Sequence, residues 1–194
     1  MKKWINESDE PMLSLRILKV MKHRRRSAID DKKVGEFYSI KSKDWAVVVP
    51  VTIKDGKRFM TLVRQYRHGS DQISVEFPCG NIESGESPAD GAERELKEES
   101  GMTCDRLIKI GSLSPNPAIM ENTVHFFVAE NAQRQFSQSL DEHEEIEILE
   151  MDEKKVITEY MGVDKEAKNA MMMTCLMYYV RYLKKEHGID YFEA

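Results

Sequence analysis

Between Gly80 and Met102 the chain reads GNIESGESPADGAERELKEESGM, and this stretch dictates its local structure more tightly than any other. Ser87 can cap a helix, Pro88 fits the first helical position, and Asp90 suits the positive end of the helix dipole. Gly101 suits the left-handed conformation that closes a helix. The spacing therefore predicts a helix over about 88–100. On it Glu95, Glu98 and Glu99 stand at i, i+3 and i+4, so their carboxylates share one face. Like charges at those spacings cost roughly a few tenths of a kcal/mol per pair. A surface helix could carry them if cations balanced the charge, but the only near cations, Lys97 and Arg94, are expected to point away from that face. A hard divalent cation resolves the crowding, because Mg²⁺ takes oxygen ligands and often bridges carboxylates to phosphates. Glu86, in the turn before the helix, is expected to pair with Arg94 and tie loop to helix. Gly80 and Gly85 let that loop turn tightly.

Around this segment the pattern is mostly strand. Residues 14–21 and 34–40 show broken alternation, and Trp45–Ile53 is strongly apolar and β-branched. The Asp55-Gly56 turn leads into Arg58–Gln65, which marks a hairpin. Further strands are expected at 73–77, near 106–113, at 123–130 and at 144–151. Helices are expected at 152–161 and about 165–186. Methionines 171–173 could form a soft binding surface, but a deformable core filler is the simpler reading. Strands, helix, strands, helix suits an α+β sandwich with helices flanking a mixed sheet.

Composition removes several function classes. The chain has 194 residues, 41% of them hydrophobic and 32% charged, which fits one folded domain rather than a disordered chain. No apolar run reaches the roughly 18 residues of a spanning helix, and MKKWINESDEPM lacks the apolar stretch of a secretory signal. Cys79, Cys104 and Cys175 are scattered, which suits reduced thiols in a cytoplasm. A net charge of -5 speaks against general nucleic-acid binding, which leaves a basic footprint. The run Lys22–Arg26 is the local exception. It reads as a solvated loop or a charge-guarded edge strand, or else as part of a phosphate site or subunit contact.

Gly80, Glu86, Arg94, Glu95, Leu96, Glu98, Glu99, Gly101 and Met102 together fill every specified position of the Nudix signature, and the chain resembles that family over roughly residues 14–185. The resemblance implies an α/β/α sandwich with a mixed β-sheet and an N-terminal β-strand extension. It implies that Glu95, Glu98 and Glu99 bind Mg²⁺ or Mn²⁺, with the Cys79 carbonyl completing the shell. It assigns catalytic work to Glu98, Arg94 and Glu86 as well. It also implies a division into an N-terminal strand region, 1–44, that builds a homodimer, and a hydrolase domain, 45–194.

Three further features look like the branch that cleaves ADP-ribose and nucleotide sugars. Gln65-Tyr66-Arg67 and Glu76-Phe77-Pro78-Cys79-Gly80 are similar to two of its blocks, with cysteine where alanine is usual. Pro117 lies sixteen residues after Gly101. The acidic run 141–148 resembles the loop that offers a catalytic base, with Glu144 favoured over Glu142 and Glu145. Each has a plainer reading: Arg67 an exposed arginine, Glu76 a water-facing strand residue, Pro117 a strand terminator, 141–147 a solvated loop. A guanidinium matches phosphate geometry, so Arg67 is expected on phosphate, and Gln65, Glu76 and Pro117 on other parts of the substrate. Trp45 can stack on a base or simply pack. The 114–122 loop departs from the branch, with Asn122 where an acid is usual, and this leaves the sugar open. The expected reaction is cleavage of ADP-ribose to AMP and ribose 5-phosphate. GDP-mannose or another nucleotide sugar is the alternative substrate, and a nucleotide-sensing domain without catalysis is the alternative class.

Overall fold

The computed structural model describes residues 1–160 and 169–192, and these divide into two compact units. The first comprises 1–44 and 113–124. Its sheet has three antiparallel strands, β1 (Ile5–Ser14), β2 (Leu18–Arg26) and β3 (Val34–Ser42), in that order. The basic run is therefore neither a loop nor an edge: it lies in the middle strand. Acids on both neighbours make this possible. Arg24 and Arg26 each reach Glu7 at 3.0 Å, Arg25 reaches Asp9 at 2.7 Å and Lys22 reaches Glu36 at 2.8 Å. Pairs this exposed add little stability, but opposite charges facing across strands fix the register. β1, polar and containing Pro11, precedes the first strand expected from sequence, at 14–21. It is an edge strand, with its register shifted at Asn6/Ser8 and Pro11/Leu13, and proline is tolerated there. Residues 113–124 attach to β3 through Ile40, whose N–H donates to the Ile119 carbonyl at 2.6 Å and whose carbonyl accepts from Glu121 at 3.0 Å.

The second unit holds a seven-stranded sheet. Its strands are β4 (Trp45–Lys54), β5 (Lys57–Arg67), β6 (Gln72–Glu76), β7 (Cys79–Asn81), β9 (Arg106–Leu113), β10 (Val124–Glu130) and β12 (Ile146–Asp152). The order is β12-β5-β4-β10-β9, with β6 on β5 and β7 on β4. Short β8 (Met102–Thr103) and β11 (Gln133–Arg134) pair separately. The predicted hairpin is present, and Asp55 and Gly56 have φ of 49° and 75°, as a two-residue turn with two left-handed positions requires.

β4 is apolar without alternation because both its faces are covered. Helix α1 (Pro88–Ser100) lies on one side, where Ala46 and Val48 pack with Ala92, Leu96 and Phe127. The last helix, α3 (Ala170–His187), also packs on β4 and buries Met172, Cys175, Leu176, Tyr179 and Leu183, a helical i, i+3, i+4 stripe. Of the three methionines only Met172 is fully buried. The helix expected at 152–161 is one α turn, α2 (Glu153–Lys155), followed by a π turn at Val156–Tyr160. Part of the expected 165–186 helix lies outside the described residues. Among the described residues no helix is long and apolar enough to cross a membrane, and all three cysteines are free.

One detail of the sheet places the site. β4 pairs with β7 through Trp45–Val47 and with β5 only through Val51–Lys54. Between these stretches β4 contains Pro50 and accommodates the incoming β6–β7 corner, where the Pro78 carbonyl accepts from the Val48 N–H at 2.9 Å. The corner carries Cys79 and Gly80 to α1.

Candidate active site

Helix α1 begins as the sequence dictates. Ser87 Oγ accepts from the Asp90 N–H at 3.2 Å, and Asp90 reaches back to the Ser87 N–H at 3.3 Å. It ends at Gly101, φ 68°, where an added Cβ would stand 2.1 Å from the Phe136 carbonyl oxygen. The start and stop of α1 are thus both fixed by local chemistry, which sets the rotation of its acidic face.

The loop before α1 is tied to it by one guanidinium. Arg94 Nε donates to Glu86 at 2.9 Å, and Arg94 Nη2 donates to the Asn81 carbonyl at 2.7 Å. Glu86 also accepts from the Glu83 N–H at 2.8 Å, and Gly85 supplies the left-handed residue of the turn, φ 86°. Contrary to the sequence expectation, Arg94 does not turn from the acidic face. Its Nη1 donates to Glu95 at 2.7 Å and to Glu98 at 2.9 Å. The i, i+4 spacing to Glu98 allows this, and a long side chain anchored at Glu86 still reaches sideways to Glu95. Lys97 does point elsewhere, over the Phe136 ring at 4.3 Å.

Glu99 is buried, with one carboxylate oxygen accepting from the Cys79 N–H at 2.9 Å. Burial, with Glu95 and Glu144 adding to it, pushes its carboxyl up to about 8. Burial also raises Glu95, against the opposing pull of Arg94. Gly80 leaves room for the Glu95 carboxyl, which would have to shift to admit a Cβ 2.2 Å away.

These groups line one cavity of about 390 Å³, together with Arg67, Asn81, Glu83, Ser139, Asp141 and Glu144. Six carboxylates and two guanidiniums meet on its wall, an excess of negative charge that a diphosphate could enter only with added cations. Among the described residues no three His, Cys, Asp or Glu side chains stand close enough to hold a metal ion as they are; Arg94 occupies the space between Glu95 and Glu98. The donor set itself fits a hard divalent ion, being all carboxylate oxygen. Glu95 and Glu99 are raised because burial and neighbouring acids disfavour their charged forms, and such an ion would favour ionisation instead.

Arg67, at the end of β5, makes a bidentate pair with Glu76, 2.9 and 2.6 Å. Burial would lower the Arg67 guanidinium, and Glu76 more than offsets this. Burial likewise would raise Glu76, and Arg67 holds it below the ordinary carboxylate range. Glu76 therefore does not face water: it is 2% exposed. It is also absent from the cavity wall, where Arg67 stands. Cys79 presents its sulfur to Arg67 Nη2 at 3.4 Å, and burial pushes its thiol upward.

Of the acidic run, Glu144 is on the cavity wall and Glu145 lines a different groove with Gln65, Tyr66 and Ile146. The Glu144 carboxylate accepts from the Asp141 N–H at 3.1 Å, and its own N–H donates to the Asp141 carbonyl at 3.0 Å. Gln65 is buried, with an Nε2 that has no hydrogen-bond partner among the described residues. Trp45 Nε1 donates to Asn81 Oδ1 at 3.1 Å. Pro117 is exposed in the 113–124 segment of the first unit. Sequence reasoning missed Gln138 and Ser139. The Gln138 amide donates to the Glu99 carbonyl at 2.7 Å, and the Ser139 N–H donates to the Glu98 carbonyl at 2.9 Å. Both sit in a polar stretch that has no signal until the fold lays it along α1.

The NUDIX domain family matches residues 43–168. An ADP-ribose pyrophosphatase of Bacillus subtilis (strain 168) is 37% identical over 107 residues, 55% of this chain and 57% of that protein. A GDP-mannose pyrophosphatase of Klebsiella pneumoniae is 28% identical over 129 residues, 63% of this chain and 64% of that protein. The match thus spans a little over half the length of the first of these relatives and under two thirds of the second. A crystal structure of an ADP compounds hydrolase has the same fold, with a TM-score of 0.79 at 21% identity, covering 97% of this chain and 98% of its own. With the NUDIX domain matched over more than half of this chain and the signature intact from Gly80 to Met102, this chain belongs to the Nudix family.

Proposed function

We propose that the chain hydrolyses the diphosphate bond of a nucleoside diphosphate joined to a sugar, ADP-ribose first among them, with a divalent metal ion as cofactor. The observation that carries this is the single cavity in which Glu95, Glu98, Glu99, Glu144 and Arg67 converge. Glu95, Glu98 and Glu99 would hold Mg²⁺ or Mn²⁺, with the Cys79 carbonyl beside them. When bound, the ion neutralises diphosphate charge and acidifies water at the site.

The chain's own residues do the rest. Arg67 binds a phosphate oxygen, and Glu76, by its bidentate grip, aims the guanidinium. Glu144 takes the proton of the attacking water, a role that suits a carboxylate whose hydrogen bond among the described residues comes from a backbone N–H of its own turn. Arg94 and Glu86 keep the loop on the helix. Trp45 and Gln65 are the proposed contacts to the nucleoside. In-line attack on one phosphorus of ADP-ribose yields AMP and ribose 5-phosphate.

GDP-mannose is the second reading. It is favoured by the altered 114–122 loop and by the Klebsiella relative, whose match covers more of this chain than that of the Bacillus one. The two are separated by kcat/KM on a panel of nucleoside diphosphate sugars with Mg²⁺ or Mn²⁺. The highest value for ADP-ribose is expected. Preference for GDP-mannose overturns the substrate, and no turnover of any compound overturns the enzyme in favour of a nucleotide-sensing domain.

A further inference from the structure

The acidic run passes the cavity wall on its way into β12, and little in the run itself holds it there. From Ser139 to Glu145 the chain reads SLDEHEE, with Leu140 its one apolar side chain, and residues 141–145 are all exposed. Hydrophobic burial therefore contributes little to its placement. Charge works against it. Asp141 and Glu144 share the wall with Glu83, Glu95, Glu98 and Glu99. After burial, the charge of Glu144 adds to the raising of both Glu95 and Glu99, so these carboxylates repel. Something other than packing keeps Glu144 at the cavity.

Hydrogen bonds from the residues just before the run do so. The Gln135 and Phe136 N–H groups both donate to the Gly101 carbonyl at 3.0 Å, and the Ser139 N–H donates to the Glu98 carbonyl at 2.9 Å. The Gln138 amide donates to the Glu99 carbonyl at 2.7 Å. The last carbonyls of a helix have no partner within it, so 135–139 caps α1 while lying along it. The two carbonyls that take Gln138 and Ser139 belong to residues that line the cavity.

Capping the helix accounts for the first bond of Gln138 and not for its second. The same Nε2 donates to the Ile146 carbonyl at 3.2 Å, and Ile146 is the first residue of β12. One side-chain amide thus joins the last turn of α1 to both ends of the loop 139–145. Inside the loop, the Glu144 N–H donates to the Asp141 carbonyl at 3.0 Å, and the Asp141 N–H donates to the Glu144 carboxylate at 3.1 Å. These bonds fix Glu144 relative to Asp141, and neither fixes the turn relative to α1. That connection falls to Gln138 and Ser139.

We propose that Gln138 is a positioning residue for the reaction: by pinning both ends of the loop to α1, it holds Glu144 against the carboxylate face where water gives up its proton. This role rests on Glu144 being the base. Gln138 is itself absent from the cavity wall, so it acts through Glu144 rather than on the substrate.

The test is a double-mutant cycle: kcat and KM for ADP-ribose with Mg²⁺, measured on the full chain, Gln138→Met, Glu144→Gln and the two combined. Methionine keeps the length of glutamine and removes both N–H donors. Gln138→Met should lower kcat about tenfold and leave KM within about twofold. Glu144→Gln should lower kcat about 100-fold or more. In that background Gln138→Met should cost no more than about twofold, because no base is left to position. If Gln138→Met fails to fold, Gln138→Glu takes its place, being polar, of equal length and without an N–H. A merely structural glutamine would lower kcat by the same factor in both backgrounds, and that result overturns the proposal. So does a wild-type kcat in Gln138→Met beside a slow Glu144→Gln, or a rise in KM with kcat unchanged. A near-normal kcat in Glu144→Gln overturns the base itself, and this role of Gln138 with it.

Discussion

At the scale of the residue, Glu99 is the most exposed to test. Its carboxyl is raised from 4.5 to about 8 by burial and by Glu95 and Glu144. A raised carboxyl binds its proton more tightly in the folded than in the unfolded chain. Its contribution to stability is thus full below pH of about 4.5 and lost as pH rises through about 8. In EDTA, the melting temperature of wild type should fall relative to Glu99→Gln between pH 6 and pH 8; parallel curves would contradict the shift. Mg²⁺ should raise the wild-type melting temperature more at pH 8 than at pH 6, because the ionised carboxylate is then available. Gly80→Ala is a second residue-level test. With Glu95 2.2 Å from the added carbon, the carboxyl must move, and activity should drop by about tenfold or more with little change in melting temperature. What the sequence hid at this scale is orientation. The signature places Arg94 one residue before Glu95 without revealing that an arginine anchored at Glu86 also bridges Glu95 and Glu98. Glu76 alternates along its strand like any surface acid, and only the fold shows it locked onto Arg67.

At the scale of the element, α1 was readable almost to the residue, because its limits are set by neighbours in sequence: the Ser87–Asp90 box, Pro88 and Gly101. The same local chemistry makes it breakable. Ser87→Ala should cost about 1 kcal/mol in chemical denaturation. Gly101→Ala should cost about 1–3 kcal/mol, because the left-handed backbone is strained for alanine and the Phe136 carbonyl blocks its Cβ. If Gly101→Ala melts like wild type, the αL cap is misassigned. β4 and β5 were equally plain, their apolar runs joined by Asp55-Gly56. β1 was not, because its strand character comes from partners rather than from its own residues: Glu7 and Asp9 face the arginines of β2. The basic run was misplaced for the same reason. Charge on a strand usually marks an edge, and the acids that make a central position tolerable are distant in sequence.

At the scale of the whole molecule, assembly and reaction are both open to direct measurement in solution. The first unit exposes Trp4, Ile5, Leu13, Val34 and Phe37, apolar side chains that a partner could cover. We propose that it is the surface of a homodimer. Sedimentation should give a dimer for the native chain and a monomer for Phe37→Asp, and a monomeric native chain would contradict this. The fold class and the acidic face of α1 were legible because both come from repeating local patterns. The cavity was legible only in part, since Ser139 and Asp141 join it through the path of a loop. The acids gathered in the cavity are proposed to serve diphosphate cleavage. Mass analysis of the products from ADP-ribose and Mg²⁺, for wild type beside Glu98→Gln, addresses it directly. Wild type should give AMP and ribose 5-phosphate, and a folded Glu98→Gln should lose about 100-fold or more in rate. Near-normal turnover by the variant, or no cleavage by the native chain, would contradict it.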